Sequence, residues 1–280
     1  MRSLRFALLD VFTDRPLQGN QLAVFTDARD LDAETMQALA REMGFSETVF
    51  LLPAERGGAA RVRIFTPRGE LPFAGHPVLG TAWLLAGPLQ RGIIELETGR
   101  GIITVELERD PAGAISFARM EQPVPTVEPC AVEDALLAAL GVAETRLPVE
   151  TYDNGVRHTL VALSSEDAVA ALRPDFQALA ELGVLASCFG GEDARWKTRM
   201  FAPSLGVAED AATGSAAGPL ACHLCRHGLV PWGTEIEIRQ GEEIARPSVL
   251  YARAEGAGDR IERVLCGGQA VVVARGELRL

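Results

Sequence analysis

Glu47, His76 and Asp210 are the side chains whose surroundings best suit proton chemistry. Glu47 stands in AREMGFSETVFLLP, between Phe45 and the run Val49-Phe50-Leu51-Leu52. A carboxylate beside so much apolar surface is either an edge-exposed strand residue or a functional group. Loss of water raises a carboxyl pKa toward neutrality, as a general base that must return its proton requires. His76, in FAGHP, could donate to a substrate oxygen or relay a proton; the plain reading is a helix-start histidine satisfied by a neighbouring carbonyl. Asp210, in EDAATGS, is a second acid, a partner for His76 or a loop carboxylate. Glu209 beside it reads as more solvated.

Two helices must position these groups. FAGHPVLGTAWLLAG, residues 73–87, has Pro77 in a first turn and Gly87-Pro88 as a stop signal. Its interior is apolar nearly all round, so the helix is buried on every side, and in a strand-rich half a sheet must wrap it. Its start then presents free backbone N–H groups and a partial positive charge, with Gly75 allowing close approach, which makes an anion site. EDAATGSAAGPLACHLCRHG, residues 209–228, repeats the device after Gly214, with Ser215 as N-cap, Pro219 disturbing the first turn and Gly228 ending the helix. Two such ends facing each other would hold a carboxylate and stabilise an enolate-like intermediate.

The pairing of these helices belongs to a wider repeat. MQALAREMG returns as FQALAELG, Arg63-Ile64-Phe65-Thr66-Pro67 as Arg199-Met200-Phe201-Ala202-Pro203, and Ala74-Gly75-His76 as Thr213-Gly214-Ser215. The offsets are 140, 136 and 139, and the order is kept. A weaker fourth match sets Gly19-Asn20 of PLQGNQLAVF against Asn154-Gly155 of YDNGVRHTLVAL. Together they predict a duplicated fold. RFALLDVF, QLAVFT, TVFLLP and RVRIFT read as strands, residues 32–43 as a surface helix, and GIIELET with GIITVELE as an antiparallel pair. Strands outnumber helical runs, which argues for α+β over a parallel βαβ sheet. The predicted lobes are 1–122, completed by the last strand at about 266–280, and 130–265, with Pro123–Pro129 as linker.

Composition narrows the functions. The 280 residues carry a net charge of −11, without the basic footprint that nucleic acid requires. Five cysteines, odd in number and irregular in spacing, fit a reducing cytoplasm better than a disulfide framework. No run approaches a membrane span, and the N-terminal apolar stretch is too short for a secretory signal. The lone CxxC, Cys222–Cys225, lies in an apolar helix and lacks the four ligands of a structural zinc. GxGxxG after a strand, GxxxxGK[ST] and GxSxG are missing, so no nucleotide, metal or other cofactor is expected.

The segments QGNQLAVF, REMGFSETVFLL, RIFTPRGELPFAGHPVLGTAW and EDAATGSAAGPLA resemble the PhzF family, which shares the diaminopimelate-epimerase fold. The resemblance runs end to end. It implies two pseudo-symmetric lobes, each a β-barrel-like sheet around a central helix, with a site between them, a homodimer and no cofactor or metal. It implies isomerisation of trans-2,3-dihydro-3-hydroxyanthranilate, Glu47 carrying a proton from C3 to C1. His76, Asp210 and Ser215 would hold the substrate and assist, Gly75 and Gly214 would offer backbone donors, and Asn20 would join the binding residues. Cysteine-dependent epimerases of this fold carry thiols where Ala74 and Thr213 stand here, so a single carboxylate replaces a two-thiol mechanism. A PhzF-like isomerase acting on another small carboxylate and a non-catalytic binding protein are the competing expectations.

Overall fold

The computed structural model describes residues 3–280. The chain divides into two compact units, one running to Glu121 and including Gly267–Leu280, the other spanning Gln122–Cys266. The first unit begins β1 (Ser3–Val11), β2 (Asn20–Phe25), α1 (Ala33–Met43), β3 (Glu47–Leu52), β4 (Ala60–Phe65), β5 (Glu70–Leu71) and α2 (Gly75–Leu89). It continues through β6 (Ile93–Thr98), β7 (Gly101–Arg109) and β8 (Ile115–Gln122). The second holds β9 (Thr126–Pro129), α3 (Glu133–Leu140), β10 (Glu150–Asp153), β11 (Arg157–Ala162), α4 (Glu166–Ala170), α5 (Phe176–Leu182), β12 (Leu185–Glu192) and β13 (Arg195–Ala202). It continues with β14 (Val207–Asp210), α6 (Gly214–Arg226), β15 (Glu235–Gln240), β16 (Ser248–Ala257) and β17 (Arg260–Gly268). The last strand, β18 (Ala270–Arg279), pairs antiparallel with β1.

The duplication is visible in the hydrogen-bond ladder. The series β1-β2-β3-β4-β6-β7 pairs antiparallel, parallel, antiparallel, parallel, antiparallel. The series β10-β11-β12-β13-β15-β16 repeats that alternation step for step. Each parallel pair needs a crossover. Helix α1 bridges β2 and β3, α2 bridges β4 and β6, α4 with α5 bridges β11 and β12, and α6 bridges β13 and β15. The sheet is therefore mixed and not the all-parallel βαβ type, although helical crossovers join every parallel pair of these two series.

Each unit packs helices on two faces of its strands. On one face of the first, Phe25 stacks on Phe50 at 5.1 Å and Phe65 meets Phe50 edge-on at 5.6 Å. These rings cover Met36, Leu39 and Ala40 of α1. Asp32 caps that helix by accepting from Thr35 N–H, and Gly44, at φ 67°, closes it. On the other face, α2 touches β1, β2, β3, β6, β7 and β18. A Cβ on Gly80 would sit 2.7 Å from both Leu22 and Val11, so glycine there sets the closeness of helix and strands. Gly218 does the same in α6, where a Cβ would fall 2.1 Å from Gln122 Oε1 and 2.4 Å from Val264.

Three local expectations are corrected. Helix α2 runs on through Gly87 and Pro88 to Leu89; Gly87, with no Cβ to meet the proline ring, lets the residue before proline stay helical. The predicted linker 123–129 contains β9, which pairs with β10 from Thr126↔Asp153 to Pro129↔Glu150. Proline suits a strand end at a sheet edge, where its missing N–H leaves no gap in the ladder. Ser215 is not the N-cap of α6. Thr213 holds that position, and its hydroxyl donates to Asp210 instead of capping the helix.

Candidate active site

In the first unit the site is built by strand register. Parallel pairing sets Leu22 beside Glu47 and Phe25 beside Phe50. Side chains alternate between faces, so Phe25 and Phe50 face α1 while Leu22 and Glu47 face α2. Glu47, the first residue of β3, keeps only 14% of its side chain exposed, and its Oε2 lies 3.5 Å from His76 Nε2. His76 is the second residue of α2 and is fully buried, which pulls its pKa down to about 3, against a backbone hydrogen bond at Gln21 that favours the charged form. At neutral pH the His76 imidazole is therefore neutral. Asn20 Nδ2 stands 3.2 Å from His76 Nδ1. With the Asn20 amide on the Nδ1 side, Nε2 is the ring nitrogen that faces Glu47. Ser46 Oγ donates to Asn20 Oδ1 at 3.1 Å, which fixes the amide. Gly19, at φ 67° with a virtual Cβ 2.4 Å from Val11 carbonyl oxygen, is the turn residue that delivers Asn20 to the strand.

The second unit uses the same plan with different residues. His158, on β11, is buried and its Nε2 lies 2.9 Å from Ser215 Oγ, on the second residue of α6. Burial depresses its pKa to about 3, against a nearby Asp153 carboxylate that favours the charged form. Asn154 Nδ2 donates to the Ser215 carbonyl at 2.8 Å, and Gln122 Nε2 donates to the Gly214 carbonyl at 2.7 Å. Asp210 is buried and accepts from Thr213 Oγ1 at 2.7 Å. No side chain caps α2 or α6 among the described residues, so the backbone donors of their first turns, Gly75 and Gly214 included, are not served by a capping group.

A family model for phenazine biosynthesis-like proteins, PhzC-PhzF, matches residues 9–276. The chain belongs to the PhzC-PhzF family. A trans-2,3-dihydro-3-hydroxyanthranilate isomerase of Pseudomonas aeruginosa is 50% identical over 277 residues, covering 99% of each chain. A crystal structure of a Bacillus anthracis PhzF-family protein superposes with a TM-score of 0.86 over 100% of both chains at 23% identity. A hydroxyproline epimerase from Agrobacterium vitis shares the fold more distantly, with a TM-score of 0.71 at 14% identity, covering 99% of this chain and 92% of that one.

Within this PhzF-family protein the structure brings Asn20, Glu47 and His76 together in one unit and Asp210, Gly214 and Ser215 in the other. Sequence reasoning did not single out His158. Its signal lay in the repeat: Asn20 to His158 is an offset of 138, and His76 to Ser215 is 139. The expected match of Gly19-Asn20 to Asn154-Gly155 is corrected by three residues, since His158 is the residue that bonds the second position of the central helix. Leu160 pairs with Ser187 as Leu22 pairs with Glu47, so the second unit carries a hydroxyl where the first carries the carboxylate.

Glu209 is also corrected. It accepts both arms of Arg199 at 2.8 and 2.7 Å, and both side chains are buried. Arg63 and Glu70 repeat this fork in the first unit at 2.7 and 2.6 Å, nearer the surface. Elsewhere Glu150, His223 and His227 place their polar atoms within 4.8 Å of one another, the spacing of a metal triad. Arg226 Nη1 occupies that knot 2.8 Å from Glu150 Oε2, and Tyr152 OH donates to the same oxygen at 3.0 Å. His223 Nε2 faces no acceptor, which a metal-bound imidazole would need for its second N–H. The cluster ties β10 to the end of α6.

Proposed function

We propose that the chain is a trans-2,3-dihydro-3-hydroxyanthranilate isomerase in which Glu47 takes the C3 proton and returns it at C1. The observation that carries this reading is the end-to-end 50% identity with the isomerase of Pseudomonas aeruginosa. The placement of Glu47 against a neutral, buried His76 supports the roles assigned to those residues. The substrate's name fixes the chemistry. Saturation at C2 and C3 leaves ring double bonds at C4–C5 and C6–C1. Loss of the C3 proton spreads negative charge along that diene to C1, which bears the carboxylate, and protonation there completes the shift. Substrate and product are isomers, so no electrons are gained or lost and the reaction calls for no redox cofactor.

A single carboxylate serves both steps. Glu47 accepts the C3 proton and, once protonated, is the acid for C1. His76 Nε2–H holds the carboxylate and the substrate, while Asn20 fixes the ring's tautomer. Asp210, Ser215 and the backbone N–H groups at Gly75 and Gly214 bind polar groups of the substrate, donors at helix starts offsetting the developing negative charge. The protein acts as a cytoplasmic homodimer. Incubation with the cyclohexadiene in D₂O, followed by NMR, tests the reading: rapid isomerisation is expected, with deuterium at C1 only to the extent that protonated Glu47 exchanges with solvent before it returns its proton. Unchanged substrate in the presence of saturable binding would sink the isomerase assignment.

A further inference from the structure

Ser215 has one hydroxyl proton, and where it goes depends on His158. The imidazole is buried and neutral, so it carries one N–H. Its Nε2 lies 2.9 Å from Ser215 Oγ, while its Nδ1 has no hydrogen-bond partner. A proton on Nδ1 would bury an unpaired N–H, the rarest and costliest kind of orphan; a bare Nδ1 lone pair costs less. The proton therefore sits on Nε2 and is donated to Ser215 Oγ. That occupies an acceptor site of the hydroxyl and leaves its own proton for another partner. The serine's backbone is held independently by Asn154 Nδ2 on its carbonyl.

The first unit supports the same logic. There a strand residue, Asn20, bonds the second residue of the central helix, His76, on the side away from Glu47. His158 and Ser215 are the duplicated pair at matching offsets, with the imidazole moved from helix to strand.

We propose that His158 is a positioning residue that donates Nε2–H to Ser215 Oγ and so commits the serine's proton to an anionic group of the substrate. The serine's partner rests on the isomerase reading above; the tautomer does not. Long-range proton–nitrogen correlation on ¹⁵N-labelled protein reads the tautomer directly. An Nε2–H signal is expected for His158, and an Nδ1–H signal overturns the proposal. His158→Phe should lower kcat/KM roughly tenfold, mainly through KM, the worth of one neutral hydrogen bond. His158→Gln, whose amide reaches the place of Nε2, should restore most of the loss. In a Ser215→Ala background His158→Phe should cost nothing further; an equal additional loss there means a merely structural histidine and overturns the proposal. If His158→Phe does not fold, the Gln variant and the tautomer still decide. A wild-type protein that turns over nothing while showing Nε2–H refutes the isomerase reading and leaves the tautomer assignment supported.

Discussion

Strand register decides which way Glu47 faces. It opens β3 beside Leu22, and the same ladder that places Phe50 against α1 turns Glu47 toward α2. Glu47→Gln keeps the shape and removes the base. Turnover should fall by ~10²–10⁴-fold while the folded far-UV spectrum is unchanged. A variant keeping more than a tenth of wild-type activity would rule Glu47 out as the proton carrier. The two arginine forks give a second residue-level contrast. Arg199→Ala strands Glu209 in a buried place and should cost about 3–5 kcal/mol in urea unfolding. Arg63→Ala frees a more solvated Glu70 and should cost about 1 kcal/mol or less. Equal losses at the two positions would contradict the burial argument.

Among the elements, α2 and α6 are decided by closeness. Gly80 and Gly218 stand near the middle of each helix, where strand or sheet-edge atoms leave no room for a methyl. Gly80→Ala would gain helix propensity in a free helix. Here it must push Leu22 and Val11 apart, so a net destabilisation of about 1–3 kcal/mol is expected from chemical denaturation. Because Leu22 lies beside Glu47 on the same face, the variant should also lose activity before it loses its fold. A Gly80→Ala protein as stable and as active as wild type would mean that the helix can slide outward freely.

For the whole molecule, the buried histidines set the acid limit. His76 and His158 both have folded pKa values depressed from 6.5 to about 3, with burial the first cause in each. Their contribution to stability is complete above about pH 6.5 and is lost as pH falls toward 3, since the unfolded chain takes up protons that the folded one refuses. Each should cost at most about 1.4 kcal/mol per pH unit, a slope approached in the middle of that window and about halved near pH 6.5. Guanidinium midpoints measured at pH 7, 6 and 5 should fall steadily. Carboxylates contribute little above pH 5, so a flat series there would show that the histidines are reached by solvent. Among the described residues no helix is long and apolar enough to cross a membrane.

The sequence by itself determined what is local or repeated. The α1 boundaries follow from Asp32 and Gly44, whose side-chain oxygen and left-handed backbone end a helix whatever surrounds it. The duplication was legible because both halves must wrap a tight apolar helix, so the same words recur at near-constant spacing. The family followed from those words. The tertiary structure alone decided which strand residues share a face. A shift of one residue turns Glu47 from α2 to α1, and a shift of three separates His158 from Gly155 as the counterpart of Asn20. Glu209 read as solvated and is buried for a related reason: its partner Arg199 lies on the neighbouring strand, and pairing partners are chosen by the ladder. Register depends on contacts between distant segments, each contributing little alone, so no short stretch of sequence contains it.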